Sequence, residues 1–415
     1  MKIMHETTFE RSASIRTVLL MAAGVIGFTV PQAIARAAAR GSAMTPKTIV
    51  AGGYVAPDGR IVSDVVIAIE DGKIKSVSTG STGSNGKTAD RSVLQRPDAI
   101  VSPGLIDLRA VLGAYGRDDE TAFSIDPGAS AVDIVDARHR DFRAAVRAGI
   151  TTVLIAPNAG NLVSGAAVVL KTGGGAHADW RRDRLLREEG PLVFALGPRV
   201  WQPDRAPTSR AGSLSMLRAA LRESAAGGGH DRLQRFMSGR LDGLVVCDDP
   251  MDVDSALAVL AGSDRRLTIV HTSDTHELGE ALARYHAAIV MGPFDASTPP
   301  RVLAAPAALS AAGVEVAFAG AMPMHAGESL RITAALAVRY GMDPAKARLA
   351  ITSVAARRAG VDGRVGTIEQ GRDADLVLFS GDPLRLDSRV LEVYINGARV
   401  YSFEADNGAF LGDSQ

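Results

Sequence analysis

Few side chains in this sequence could do chemistry. Metal binding and proton transfer need lone pairs on imidazole, thiolate, carboxylate or amine. Of eight histidines and one cysteine, His271 and Cys247 close apolar runs of strand type, residues 267–271 and 244–247. Lys171 closes another, residues 166–171, and is the only lysine between Lys87 and Lys346. Arg109 lies inside a fourth, between Pro103-Gly104 and Gly113. A histidine at a strand end can ligate a metal, hold a substrate or simply hydrogen-bond. A lone cysteine serves as a small buried hydrophobe or, as thiolate, binds zinc. A lysine packs its stem and pairs its amine. Arginine stays protonated and only donates, so Arg109 cannot ligate. It can pair with Asp107, two residues earlier on the same strand face, or grip an anion with both arms of its fork. A catalytic zinc needs about three protein ligands, and this set is thin. His139, His177, His230, His276 and His286 fall in helices or loops and read as exposed or structural.

Positioning these groups falls to alternating strands and helices. After the strand at 104–112 comes a helix over 132–148 and a strand over 151–157. Later strands are expected at 166–171, 192–196, 244–247, 267–271, 288–291 and 314–320. Helices are expected between most of them, for example at 212–225 and 329–339. Such alternation over about 250 residues indicates a parallel α/β fold, and a (β/α)₈ TIM barrel has that size. Periodicity alone does not separate a barrel from a doubly wound sheet.

The two flanks read differently. Short strands lie at 48–53 and 59–77, with hairpin turns at Asp58-Gly59 and Asp71-Gly72, where glycine supplies the positive φ. Residues 78–92 form a polar loop. Strands return at 365–379 and 393–401. Two-stranded pieces are unstable alone, so both ends are expected to fold together. The reading is a composite β-domain from 48–103 and 361–404 around an α/β domain at 104–360.

Hydrophobic residues make up 46% of the 415-residue chain and its formal net charge is +0. That is a globular composition, and it argues against nucleic acid as a partner, which needs a basic surface. One cysteine excludes an internal disulfide. Lys2, Arg11 and Arg16 precede an apolar run of about 14 residues, shorter than the roughly 20 that span a bilayer. Ala35-Arg36-Ala37 follows as a small-x-small cleavage site. Residues 1–37 therefore read as a signal peptide, giving a periplasmic or secreted protein with no membrane contact after cleavage.

The segment Pro103-Gly104-Leu105-Ile106-Asp107 resembles the entry to the catalytic barrel of the amidohydrolase superfamily. Gly366-Thr367-Ile368-Glu369-Gln370-Gly371-Arg372-Asp373-Ala374-Asp375 is similar to its Gly-x-Ile-Glu-x-Gly-x-x-Ala-Asp motif. Gly381-Asp382-Pro383 and Ile395-Asn396-Gly397 follow in the family order. Thr352-Ser353-Val354-Ala355-Ala356 and Ala148-Gly149-Ile150-Thr151-Thr152 match further segments, and the likeness runs from about residue 48 to 401. Pro207-Thr208-Ser209-Arg210-Ala211-Gly212 looks like the imidazolonepropionase-like subgroup. The resemblance implies a TIM barrel plus a β-sandwich built from both chain ends. It also implies a divalent metal that activates water for hydrolysis of amide or ester bonds, and a homo-oligomer.

At the family's metal positions this chain departs. Arg109 and Val111 stand where the first strand carries His-x-His. Cys247 falls near the fifth-strand histidine, and His271 matches the sixth. Ala321 stands where the eighth strand carries the aspartate that takes a proton from water. Lys171 is the candidate for the carbamylated lysine of some relatives. Three readings stay open. One is an exported homologue without metal or hydrolysis that binds a small molecule at the barrel mouth through Arg109, Lys171, Cys247 and His271. Another is an active hydrolase of carbon–nitrogen bonds with an atypical zinc site. The last is a structural or scaffold subunit.

Overall fold

The computed structural model describes residues 46–80, 92–115, 120, 122–174, 180–273 and 275–405. The signal-peptide reading of residues 1–37 lies outside them. Strands are β1 (Thr48–Val55), β2 (Ile61–Glu70), β3 (Lys73–Thr79), β4 (Val93–Pro103), β5 (Leu105–Ala110) and β6 (Ile150–Ile155). Next come β7 (Val163–Ala166), β8 (Val168–Lys171), β9 (Leu185–Arg187), β10 (Leu192–Leu196), β11 (Gly243–Cys247) and β12 (Leu267–Val270). The last are β13 (Ala288–Met291), β14 (Val316–Phe318), β15 (Leu376–Phe379), β16 (Val390–Ile395) and β17 (Ala398–Ser402).

Both chain ends share one seven-stranded sheet in the order β17-β16-β15-β4-β1-β2-β3. In β1 every second residue is buried, the alternation of a strand with one face on a core. That core holds Ile49, Ile67 and Val101 from the N-terminal part and Leu376, Leu378 and Tyr394 from the C-terminal part. Strand β4 joins the halves, parallel to β1 and antiparallel to β15. Neither end could bury this face alone, and strands of both ends share the sheet.

Residues 105–318 supply two further sheets, β14-β13-β12-β11-β10-β7 and β5-β6-β8-β9. Strands β10 to β14 pair in parallel, as do β5 and β6, so the fold is mixed α/β. A shared inner core takes side chains from both sheets: Ile106, Leu108, Leu154, Val169, Val193, Leu244, Val270, Val290 and Ala317. The outer edges of the two sheets meet, since Val111 N donates to Met322 O at 2.8 Å.

The expected parallel strand at 166–171 is instead split. β7 runs antiparallel to β10, and β8 antiparallel to β6. The link between β6 and β8 contains no helix. Without a crossover a strand can only return antiparallel. The expected helix over 132–148 is also shorter, Asp141–Arg147. Asp136 accepts from Arg138 N at 3.0 Å, an Asx turn that competes with helix upstream. Among the described residues no helix is long and apolar enough to cross a membrane.

Candidate functional site

β5 is buried except at Arg109, and its other charged residue, Asp107, is fully buried. The β5–β6 register shifts between Asp107 and Ala110. An irregularity of this kind re-aims side chains, and here Leu108 and Arg109 both face a cavity at the C-terminal strand ends. Simple alternation would have paired Arg109 with Asp107. The Asp107 carboxylate instead accepts from the backbone N–H groups of Arg109 at 3.0 Å and Gly320 at 3.1 Å. It thereby ties the end of β5 to the turn after β14. Burial pushes the Asp107 carboxyl up, against these backbone donors. The Arg109 guanidinium makes no side-chain hydrogen bond among the described residues. Burial first, and the Arg199 charge second, weaken its hold on its proton, with Asp107 opposing both.

Two adjacent lobes open here, sharing part of their walls. The larger, about 500 Å³, is lined by Arg109, Arg199, Cys247, Asp248, His271 and Arg301, among others. The smaller, about 370 Å³, is mostly apolar, with Val111, Ala114, Ala156, Pro157 and Met324. Arg109, Arg199, Val246 and Val270 line both. Each volume lies in the range of small-molecule sites, about 300–1,000 Å³.

His271 follows β12 and is buried. Its Nδ1 lies 3.1 Å from Cys247 O. A carbonyl only accepts, so Nδ1 carries the proton. When the ring is neutral Nε2 is the free lone pair, and among the described residues it is buried without a hydrogen-bond partner. Cys247 ends β11 and is also buried. Burial, and then the charges of Asp252 and Asp248, push its thiol well above the usual range. Without a metal cation beside it, the Cys247 thiol is disfavoured as a thiolate nucleophile.

Lys171 is not with the other three. Strand β8 is antiparallel, and Lys171 pairs with Thr152 early in β6. Its ammonium, fully buried, donates to Asp373 Oδ2 at 2.9 Å, Asp375 Oδ1 at 2.9 Å and Asn396 Oδ1 at 2.6 Å. These are acceptors of the C-terminal segment that carries β15 and β16. The structure brings Arg109, Cys247 and His271 together and sends Lys171 to the opposite strand ends.

Sequence reading also missed groups that the structure adds. Arg199 pairs with Asp248, its Nε 2.7 Å from Oδ1. Arg210 reaches Asp252 at 2.8 Å and Asp249 at 2.6 Å. Asp249 in turn caps the helix Pro250–Leu260 by accepting from Asp252 N at 2.8 Å. Gly197, at φ 110°, lets the Asp248 and Asp252 carboxylates close in. Their positions just past β10 and β11 were the available signal, since C-terminal strand ends carry the chemistry of parallel α/β folds.

The donors present do not fit a catalytic divalent metal. His271 Nε2 is a suitable lone pair, but among the described residues Cys247 is the one further soft donor beside it and Asp107 is committed to backbone amides. The Arg109 charge faces the same cavity and would repel a cation. Val111 and Ala321 offer nothing. Among the described residues no group of three or more His, Cys, Asp or Glu is placed to hold a metal ion.

Residues 265–407 match the model of the amidohydrolase family. No curated protein matches the chain. Among solved structures, an amidohydrolase from Thermotoga maritima MSB8 superposes with a TM-score of 0.73 at 20% identity, covering 85% of this chain and 100% of that one. A prolidase complexed with N-methylphosphonate-L-proline gives 0.53 at 16% identity, covering 86% and 100%. A Xaa-Pro dipeptidase with bound methionine gives 0.50 at 16%, covering 86% and 99%. At these identities the structural likeness speaks for the fold. The imidazolonepropionase-like motif at 207–212 finds no counterpart in these comparisons.

Proposed function

From the premise that this chain is a member of the amidohydrolase superfamily, we propose that it is a non-hydrolytic homologue that binds a small molecule. In this reading the two inner sheets form the wall of a (β/α)₈ barrel, and the seven-stranded sheet is the family's β-sandwich domain. The cavity is the barrel mouth, where relatives hold their metal. One observation carries the reading: Arg109, whose guanidinium has no hydrogen-bond partner among the described residues, occupies the strand-end position where a histidine would ligate. Ala321, buried, replaces the proton acceptor, and alanine cannot act as a base.

The rival reading is a hydrolase of carbon–nitrogen bonds. The prolidase and dipeptidase among the fold neighbours favour it, as does the lone pair of His271 Nε2. Elemental analysis of the purified protein, with assays on Xaa-Pro dipeptides and cyclic amides, decides between them. We expect far less metal than one ion per chain and no turnover with added zinc. Near-stoichiometric metal, lost together with hydrolysis in His271→Ala, establishes the rival. Export through residues 1–37 and a homo-oligomeric state complete the proposal. N-terminal sequencing of the mature protein and light scattering test them.

A further inference from the structure

The cavity describes its ligand more closely, provided the non-hydrolytic reading above is right. Three observations bear on it. The first is charge. Of the described residues lining the larger lobe, Arg109, Arg199 and Arg301 oppose Asp248 and Asp295. Arg199 is already matched by Asp248, and Asp295 accepts from Ser297 N at 2.9 Å and Ser297 Oγ at 2.7 Å in its own loop. The Arg109 fork is the group whose hydrogen bonds remain to be made. A planar guanidinium binds a carboxylate through two parallel bonds. A phosphate dianion would set a second negative charge beside Asp248 and Asp295.

The second is the His271 lone pair. His271 is 4% exposed and lines the same lobe, and Nε2 has no partner. Leaving a buried acceptor unmade costs about 1–3 kcal/mol, so a ligand that donates there is favoured. The third is the apolar lobe, which begins at Arg109 and runs past Val111, Ala114 and Pro157 to Met324. Tyr115 and Met324 stand 55% and 67% exposed at its edge.

We propose that the cavity binds an amphipathic monocarboxylate bearing an N–H or O–H group beside the carboxylate. The carboxylate lies on Arg109, the N–H or O–H donates to His271 Nε2, and the apolar remainder fills the lobe of Val111, Ala156, Pro157 and Met324.

Calorimetric titration of the full chain with chosen probes tests this. N-acetyl-L-leucine carries all three features. N-acetyl-L-leucinamide lacks the charge, and 4-methylpentanoate lacks the donor. We expect the acid to bind, and both analogues to bind weaker by on the order of tenfold, one lost charged or buried hydrogen bond each. Arg109→Gln loses the preference for acid over amide with an unchanged thermal midpoint. His271→Phe loses the preference for N-acetyl-leucine over 4-methylpentanoate. If that variant does not fold, the comparison on the unaltered chain stands alone. Inorganic phosphate binding as tightly as the acid overturns the proposal, as does an acid affinity indifferent to Arg109→Gln. Absence of binding in metal-free protein removes the ligand assignment only. Stoichiometric metal with hydrolysis removes the reading beneath it.

Discussion

Lys171 Nζ lies 2.9 Å from Asp375 Oδ1, and neither side chain has more than a trace of solvent exposure. Asp373 and Asn396 complete the shell around the ammonium. This lysine fastens the α/β part of the chain to the terminal sheet. Burial alone would raise the Asp373 carboxyl, but the charges of Lys171 and Arg364 hold it below the usual range. Asp375 goes the other way, because burial outweighs Lys171 there.

Lys171→Met should therefore be severe. It leaves two buried carboxyls without their shared cation, and breaking a buried pair in this way costs about 3–5 kcal/mol. Urea unfolding followed by circular dichroism measures it. A loss under about 1 kcal/mol would mean that the cluster is wetter than the structure indicates.

Acid stability depends on a second pair. Arg348 donates to Asp382 from Nε at 3.1 Å and to Gly59 O at 2.9 Å. Burial would raise Asp382, yet the hydrogen bonds from Arg348 and Leu384 N win and hold it low. A carboxyl lowered by folding adds stability above its unfolded value, near pH 4, and loses it as pH falls through the native value. Asp382→Asn should cost about 1–2 kcal/mol at neutral pH. Its unfolding curve should converge on the parent's as pH drops through that lowered native value. A gap that stays constant down the acid limb would assign the loss to packing instead.

Cys247 should be silent in the native state. Its thiol is buried and pushed upward, while alkylation requires thiolate. Labelling with iodoacetamide at pH 8 should run on the order of 100-fold slower than for free glutathione, rising to the free rate in urea. Rapid native labelling would expose a reactive thiol and strengthen it as a candidate ligand.

Gly197 holds the rim of the cavity. A Cβ there would meet Asp248 Oδ2 at 2.6 Å and Asp252 Oδ2 at 2.7 Å, on a backbone at φ 110°. Gly197→Ala should cost about 2 kcal/mol or more through strain and overpacking. It should also weaken carboxylate binding by displacing the Arg199–Asp248 pair. Unfolding and titration on the same sample check both. Full stability with full binding would show that the loop yields freely.

Much of the scaffold was legible because apolar runs between turn signals state where buried strands lie. β10 (Leu192–Leu196) and β13 (Ala288–Met291) fall where the runs placed them, as does the helix Ser329–Arg339. The meeting of the chain ends followed from the instability of each alone. Direction was harder: an apolar run such as 166–171 looks the same parallel or antiparallel, and so Lys171, still the last residue of its strand, was assigned to the opposite end of the sheet. Arg109 was visible as a misfit in an apolar strand, but its aim depended on an irregular pairing that no period-two pattern encodes. Arg199 and Arg301 lie in loop and helix, where arginine is commonplace and only the fold turns them toward the cavity.

The Asp107 brace has a wider consequence. One carboxylate ties the end of β5 to the turn after β14 through backbone amides, without asking anything of the residues that face the hollow. Such a frame lets the tenants of the hollow be exchanged one by one while the walls stay put. Evolution could then retire an old chemistry and fit a new recognition surface without first inventing another protein to carry it.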